Sequence, residues 1–304
     1  MNAFDGLPCS SASADVPLPG TATRVSGWLC VEHPGAWGRD VIGDEVLGPG
    51  ITAELAARTT AARVRPTLIR RPGRSEFTGV RTVLLVNSRA EGGWCERLEI
   101  ADLKQLLDID LHLLDGPPPG LGELVTDPLV LVCAHGKRDQ CCAMLGRPIA
   151  AALSAAHPGR VWECSHTGGH RFAPAMVLLP SGLTYGRVDA AAANAAVAAV
   201  HRGEVALTGL RGRSGHNPVE QVAELAVRAE VAAGLDDLTV RSEPENNSVA
   251  TDPTYVGSAL VSHHDGRRWR VTARTVAYAP RQASCGAGPK PVTALVADPI
   301  QPLP

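Results

Sequence analysis

The sequence predicts an α/β protein, and this prediction rests on the order of elements in its middle part. The apolar run Leu129–Cys133 is typical of a strand that is buried on both faces. Residues 143–157 have the composition of a helix that ends at Pro158 and Gly159, and residues 160–164 predict a second strand. Because a strand–helix–strand unit forms a crossover, we expect the two strands to be parallel.

Helices and strands are also predicted in the region N-terminal to this strand–helix–strand unit. The stretch 115–128 is rich in Pro and Gly and is therefore the best candidate for a domain boundary. The region before it, residues 1–123, is predicted to be a smaller α/β domain. Its expected elements are a helix at 51–62, strands at 63–71 and 81–88, and a short helix at 100–110.

A hairpin and a helix complete the middle domain. Strands are expected at 174–180 and 183–188, joined by a Ser-Gly turn, and a helix follows with Asp189 as its N-cap and Gly203 beyond its end. The order β-α-β, loop, β-β-α matches a thioredoxin-like fold in which a loop replaces the middle helix. This domain is predicted to span residues 124–208.

The last third, residues 209–304, is predicted to be an α+β extension. Asn217, Pro218 and Glu220 form a capping-box pattern at the start of a helix. A hairpin over 255–275 should turn at His-Asp-Gly, and 291–299 should add a strand. The charged Arg-Gly-Arg at 211–213 is predicted to be a solvated turn.

Charge and composition exclude several classes of function. The 304 residues include 29 Lys and Arg against 31 Asp and Glu, without a long basic run, so nucleic-acid binding is not expected. No apolar run approaches the roughly 18 residues of a membrane span. Residues 1–17 lack a signal-peptide pattern, so a cytoplasmic location is predicted. The 8 cysteines are then expected to be reduced and to bind metal or react rather than to cross-link.

Residue types that bind metals follow both central strands. The second strand leads into residues 165–172, Ser-His-Thr-Gly-Gly-His-Arg-Phe, which should form a loop because each of the two glycines costs a helix about 1 kcal/mol. The carboxyl ends of parallel strands meet at one sheet edge, so the two segments should converge on one centre. The residues concerned are Cys133, His135, Arg138, Asp139, Cys141, Cys142, His166 and His170.

These motifs resemble the sucrase/ferredoxin-like family. The resemblance is strong over residues 129–187, through C-x-H-G-x-R-D-x-x-C, W-E-x-S-H-T-G-G-H-R-F-A and G-x-x-Y-G-R. It is weaker over residues 20–38 and 281–292. It implies a thioredoxin-like ferredoxin with a 2Fe–2S cluster bound by two cysteines and two histidines.

The resemblance also implies the ligands, which would be Cys133, Cys142, His166 and His170. Cys142 is preferred to Cys141 because the second cysteine of the family lies nine positions after the first. Neutral imidazoles in place of two thiolates should raise the reduction potential, as in Rieske centres. The implied function is electron transfer with an unidentified partner, a reductase or a flavoprotein, and with coupling to proton transfer as a further expectation.

Several alternatives stay open at this stage. The same four residues could form a zinc-stabilised Cys2His2 interaction module, or the protein could be a reductase that acts on its own bound substrate. His135, Arg138 and Asp139 could support the ligands or form a structural ion pair. Cys141 is expected to be a bystander or to pair with Cys142, and Cys164 to be a buried apolar residue. Four further cysteines are predicted to be structural or incidental: Cys9, Cys30, Cys95 and Cys285.

Overall fold

The structure, a computed structural model, describes residues 4, 6–73, 77–244 and 252–304 and confirms the α/β class. Within these residues, no helix is both long and apolar enough to cross a membrane. The short helix expected at 100–110 is a 3-10 helix, Leu103–Asp108. The α-helices are α1 (Cys9–Ala12), α2 (Pro49–Ala62), α3 (Gln140–Ala156), α4 (Ala190–His201) and α5 (Pro218–Glu230).

Strands from most of the chain form one large sheet. In chain order they are β1 (Gly27–Glu32), β2 (Val64–Arg70), β3 (Arg81–Asn87), β4 (Trp94–Ile100), β5 (Glu123–Leu124), β6 (Leu129–Cys133), β7 (Val161–Cys164), β8 (Ala175–Leu179), β9 (Leu183–Gly186) and β10 (Leu210–Arg213). Their order across the sheet is β10-β9-β8-β6-β7-β2-β1-β3-β4-β5.

The predicted crossover is present at the centre of this sheet. Strands β6 and β7 are parallel, with Cys133 in register with Cys164, and α3 connects them. Asp139 caps α3, because its side chain accepts a hydrogen bond from the backbone N–H of Cys141. Strands β8 and β9 form the predicted antiparallel hairpin. The carboxyl ends of β6 and β7 therefore lie side by side, as the sequence predicted.

The large sheet continues across residue 124. Strand β2 pairs with β7 through Ile69 opposite Cys164 and Arg70 opposite Glu163. The Arg70 guanidinium also contacts the Glu163 carboxylate at 2.7 Å. Strands on both sides of the expected boundary thus belong to one sheet, and the division into 1–123, 124–208 and 209–304 stays a prediction.

The prediction of a solvated turn at 211–213 is wrong. These residues lie in β10, and Arg211 and Arg213 are 0% and 3% exposed. Charged side chains can be buried where they find partners. The Arg213 Nε lies 3.0 Å from Glu224 Oε1, and Arg211 donates hydrogen bonds to the segment around Thr21. Thr21 is far from Arg211 in sequence, and Glu224 lies on a different element from Arg213. Local composition therefore did not indicate that these arginines are buried.

Helix α5 packs on β10 through a buried ion cluster and has the predicted capping box. Burial alone would raise the pKa of Glu224, but the positive charges of Arg213 and Arg228 hold it well below its usual value. Both arginines place Nε at 3.0 Å from Glu224 Oε1, and Nδ1 of His216 lies 3.2 Å from Oε2. This cluster joins α5 to the large sheet.

A second sheet contains the predicted hairpin, and it brings the tail back toward the N-terminal segment. The long strand β13 ends at Gln282, and Arg281 beside it donates a hydrogen bond of 3.0 Å to the Ala12 carbonyl in α1. The first and last parts of the chain are therefore in contact. The strands are β11 (Leu238–Ser242), β12 (Tyr255–His263), β13 (Arg268–Gln282), β14 (Pro289–Ala297) and β15 (Gln301–Leu303).

An apolar core lies directly beneath the carboxyl ends of β6 and β7. Trp28, Leu131 and Trp162 pack there together with Cys133 and Cys142, all at most 2% exposed. Cys164, also in this core, is fully buried as predicted, and burial raises the pKa of its thiol. The predicted site residues thus lie at the edge of a packed core.

Candidate metal centre

Three of the four predicted ligands meet at the sheet edge. Cys133 ends β6, Cys142 lies in the first turn of α3, and His166 follows β7. The two sulfurs and a ring nitrogen of His166 all lie within 4.8 Å of one another. The Cys133 Sγ and the His166 Nδ1 are 3.9 Å apart. Two thiols and an imidazole, which are all good ligands for soft metals, therefore face a common point.

The fourth predicted ligand, His170, lies beside this group but outside the 4.8 Å limit. Its ring centroid is 5.0 Å from that of His166. Its Nδ1 is buried and has no hydrogen-bond partner among the described residues, while its Nε2 lies 3.9 Å from Asp139 Oδ2. Burial lowers the pKa of His170. A buried, unpartnered ring nitrogen is costly unless it binds something, which makes Nδ1 a candidate ligand atom.

The Gly-Gly pair lets the loop between the histidines turn. Gly168 and Gly169 have φ angles of 98° and 72°, in the region that favours glycine. A Cβ at Gly168 would collide with the Thr23 hydroxyl, and a Cβ at Gly169 would collide with the Arg211 guanidinium. Both glycines are therefore required for the loop to pass under residues 21–23 and β10.

Two arginines hold the carbonyl groups of this loop. Arg65 donates a hydrogen bond of 2.6 Å to the His166 carbonyl, and Arg211 donates one of 3.2 Å to the Gly168 carbonyl. Burial lowers the pKa of both guanidinium groups, and the nearby Cys133 acts in the opposite direction on each. The arginines thus fix the loop and place positive charge close to the thiols.

His135 braces the loop from the other side. Its Nε2 lies 2.9 Å from the Gly38 carbonyl, and its Nδ1 lies 3.1 Å from the backbone N–H of His166. Only one tautomer satisfies both contacts: Nε2 donates to the carbonyl, and Nδ1 accepts from the N–H. His135 thus supports the histidine loop, which is one of the roles that the sequence left open. Arg138, by contrast, is exposed.

The thiols of Cys133 and Cys142 have pKa values that are shifted in opposite directions. A hydrogen bond from the Cys142 thiol, together with one from His166 and the Thr167 backbone N–H, lowers the pKa of Cys133 well below its usual value. The same hydrogen bond to Cys133 raises the pKa of Cys142. The pocket therefore stabilises negative charge on sulfur, and the thiolate is the form that binds metals.

A second cysteine group, which the sequence analysis missed, surrounds Asp139. Cys141 points away from Cys142 toward Cys9 and Cys285, with Sγ–Sγ distances of 3.7 and 3.3 Å. One ligand atom from each of Cys9, Asp139, Cys141 and Cys285 lies within 4.8 Å of the others. The only signal for it in the sequence was the weak resemblance at 281–292, which includes Cys285. Three cysteines predicted to be incidental or bystanders therefore form a cluster.

One side of the histidine loop borders a cavity of about 500 Å³. His170, Arg171 and Phe172 line it on one side, and Thr293 to Leu295 in β14 line it on another. His170 remains partly exposed there, with 17% of its side-chain surface accessible. A redox partner or a small molecule could therefore approach the loop from this side.

Comparison with known protein families gives one match. The family model described as sucrase/ferredoxin-like matches residues 18–212, which is more than half of the chain. The matched residues include both strand ends and the complete histidine loop, whereas Cys9 and Cys285 lie outside them. The searches of curated proteins and of solved structures found no match.

Proposed function

This chain belongs to the sucrase/ferredoxin-like family, and from that premise we propose that it is an electron-transfer protein with a 2Fe–2S cluster. The cluster would be bound by Cys133, Cys142, His166 and His170. The observation that supports this most is the convergence of two thiols and an imidazole within 4.8 Å, with the unpartnered Nδ1 of His170 beside them. When bound, such a cluster accepts and donates single electrons.

The surroundings of the histidines fit a role as ligands. A metal-binding histidine usually directs its other ring nitrogen to a carboxylate or a carbonyl group. In His170, Nε2 lies 3.9 Å from the Asp139 carboxylate, and the buried Nδ1 is left for the metal. In His166, Nδ1 faces the Cys133 sulfur. We therefore assign Nδ1 as the ligand atom of both histidines.

The charges around the site favour its reduction. Two neutral imidazoles replace two anionic thiolates, which makes the bound cluster less negative. Arg65 and Arg211 add positive charge close to the cysteines. Both effects should raise the potential above that of a ferredoxin with four cysteine ligands.

Zinc is the competing occupant of the same residues. A tetrahedral zinc site needs four donor atoms at about equal distances from one ion. His170 is not among the atoms that lie within 4.8 Å of one another. The iron–sulfur cluster is preferred to a Cys2His2 zinc module because of the family to which the chain belongs.

Metal analysis after anaerobic purification from iron-replete cells tests the proposal. We expect a coloured protein with about two irons and an equal amount of acid-labile sulfide per chain. Cys133→Ser should lose both. A colourless protein without sulfide, whose bound zinc disappears in Cys133→Ser, would contradict the proposal. Turnover with a defined electron donor and acceptor then separates a carrier from a reductase that acts on its own substrate.

Coupling between electron and proton transfer is part of the proposal. An imidazole that binds metal through one nitrogen keeps a proton on the other, and this proton becomes more acidic when the site is oxidised. Reduction at high pH should then be accompanied by proton uptake, so the potential should fall as pH rises, by about 59 mV per pH unit for each proton taken up per electron.

Redox titrations from mildly acidic to strongly alkaline pH measure this dependence. His166→Cys and His170→Cys should each lower the potential, because a thiolate adds negative charge. Each should also weaken the pH dependence by removing one proton carrier. A parent potential that does not change with pH would exclude the coupling but not the cluster.

A further inference from the structure

The second cysteine group joins three distant parts of the chain. Cys9 begins α1, Cys141 lies in the first turn of α3, and Cys285 follows β13. The Cys9 Sγ is 3.7 Å from the Cys141 Sγ and 3.5 Å from Asp139 Oδ1, and the Sγ atoms of Cys141 and Cys285 are 3.3 Å apart. Asp139 and the first two cysteines are buried, whereas Cys285 is partly exposed.

We propose that this group binds one zinc ion through Cys9, Cys141, Cys285 and the Asp139 carboxylate. Zinc is typically tetrahedral, with bonds of about 2.3 Å to sulfur and about 2.0–2.2 Å to oxygen. On such a tetrahedron two sulfurs lie roughly 3.8 Å apart, and a sulfur and an oxygen roughly 3.5 Å apart. The distances of 3.7, 3.3 and 3.5 Å are close to these values.

The Asp139 carboxylate has room for one metal bond. Its Oδ2 accepts hydrogen bonds from the Cys285 N–H at 2.9 Å and the Ser284 hydroxyl at 3.0 Å. Its Oδ1 accepts one from the Cys141 N–H at 2.9 Å. A carboxylate offers about four lone-pair sites, and the fourth, on Oδ1, faces the Cys9 thiol at 3.5 Å; this thiol would lose its proton on binding zinc and so free the site. The hydrogen bonds would hold this oxygen in place for zinc.

A disulfide explains the group less well. It would join only two of the three thiols, and Cys141 is at similar distances from both candidate partners. The third thiol would then remain beside the buried Asp139 carboxylate, with no cation between them. One shared ion, by contrast, uses all three sulfurs and the carboxylate together.

The zinc site would have its own sulfur ligands, although its Asp139 carboxylate borders the iron–sulfur site at 3.9 Å from His170 Nε2. Successive residues of a helix point about 100° apart, so Cys141 and Cys142 face different sides of the α3 N-terminus. Cys142 lies with Cys133 and His166, and Cys141 lies with Cys9. Zinc would fasten the four-residue helix α1 and the turn at Cys285 to α3. A helix as short as α1 needs such tertiary contacts to form.

Zinc and iron contents of the full-length protein and four variants test the proposal. The parent should contain about one zinc per chain. Cys9→Ser and Cys285→Ser should each lose most of it and keep their iron and sulfide. Cys133→Ser should lose iron and keep zinc. Cys95→Ser is the matched control, because Cys95 is fully buried but belongs to neither group, and it should keep both metals.

Cobalt binding supplies a measurement that does not depend on the serine variants of this group. Once zinc has been removed with a chelator from Cys133→Ser, which should lack iron–sulfur absorbance, added Co²⁺ should give near-ultraviolet thiolate-to-cobalt bands. Three results would each overturn the proposal. The first is a parent without zinc together with a Cys133→Ser variant that gives no cobalt bands. The others are a disulfide among the three cysteines and zinc that persists in Cys9→Ser and Cys285→Ser. A protein without iron and sulfide, whose zinc is lost in Cys9→Ser and Cys285→Ser but kept in Cys133→Ser, would leave this site intact and contradict only the proposed function.

Discussion

Cys142→Ser should abolish the iron–sulfur absorbance, whereas Cys141→Ser should leave it unchanged. The Cys142 sulfur lies with the Cys133 sulfur and a ring nitrogen of His166, but the Cys141 sulfur faces Cys9 and Cys285. Removal of a residue that merely supports a ligand lowers metal affinity by about 10- to 100-fold, so loss of a direct ligand should exceed this range. We therefore expect little iron in Cys142→Ser.

Visible spectra and iron analysis of the two variants, purified side by side without oxygen, check this prediction. Each variant is the control for the other, because the two residues are adjacent, both are buried, and the substitution is the same. Zinc content should show the opposite pattern, with a loss in Cys141→Ser only. Bleaching of Cys141→Ser with a normal spectrum for Cys142→Ser would mean that the assigned ligand is wrong by one residue.

The sequence contained enough local information to predict where the candidate ligands lie in the fold. A buried strand, a helix and a second strand indicated parallel neighbours, and β6 and β7 are parallel. That geometry alone placed the segments after Cys133 and Cys164 at one sheet edge. The Gly-Gly pair indicated a loop, and its positive φ angles explain why glycine is needed. These features depend on residues that are close in sequence.

The features that the sequence did not predict depend on contacts between residues that are far apart in the chain. Cys9 and Cys285 are 276 positions apart and meet only because β13 brings the tail back to α1. Strand β10 was predicted as a turn because Arg-Gly-Arg has the composition of an exposed segment. Its burial depends on Glu224 in α5 and on carbonyl groups of two other loops, none of which local composition reveals.

Arg211→Met should destabilise the protein and lower the potential of the proposed iron–sulfur site. The Arg211 side chain is fully buried and donates hydrogen bonds to the Thr21 carbonyl, to the Thr21 hydroxyl at 3.0 Å and to the Gly168 carbonyl at 3.2 Å. Methionine is similar in length but cannot donate. Hydrogen bonds from charged groups are worth about 1.5–3 kcal/mol each, so we expect a loss of about 3 kcal/mol or more in the free energy of unfolding.

Urea denaturation and redox titration of Arg211→Met and Arg211→Lys separate the two roles of this side chain. Lysine keeps the positive charge but lacks the planar fork that reaches several acceptors, so Arg211→Lys should keep most of the potential and still lose stability. Arg202→Met is the control, because Arg202 is exposed and, among the described residues, its side chain pairs only with Glu204 at the surface, where such a pair is worth at most about 1 kcal/mol. If Arg211→Met retained the parent potential, the charge of Arg211 would not act on the site. If it also retained the parent stability, the loop between His166 and His170 would be held by its glycines and by Arg65 without the help of β10.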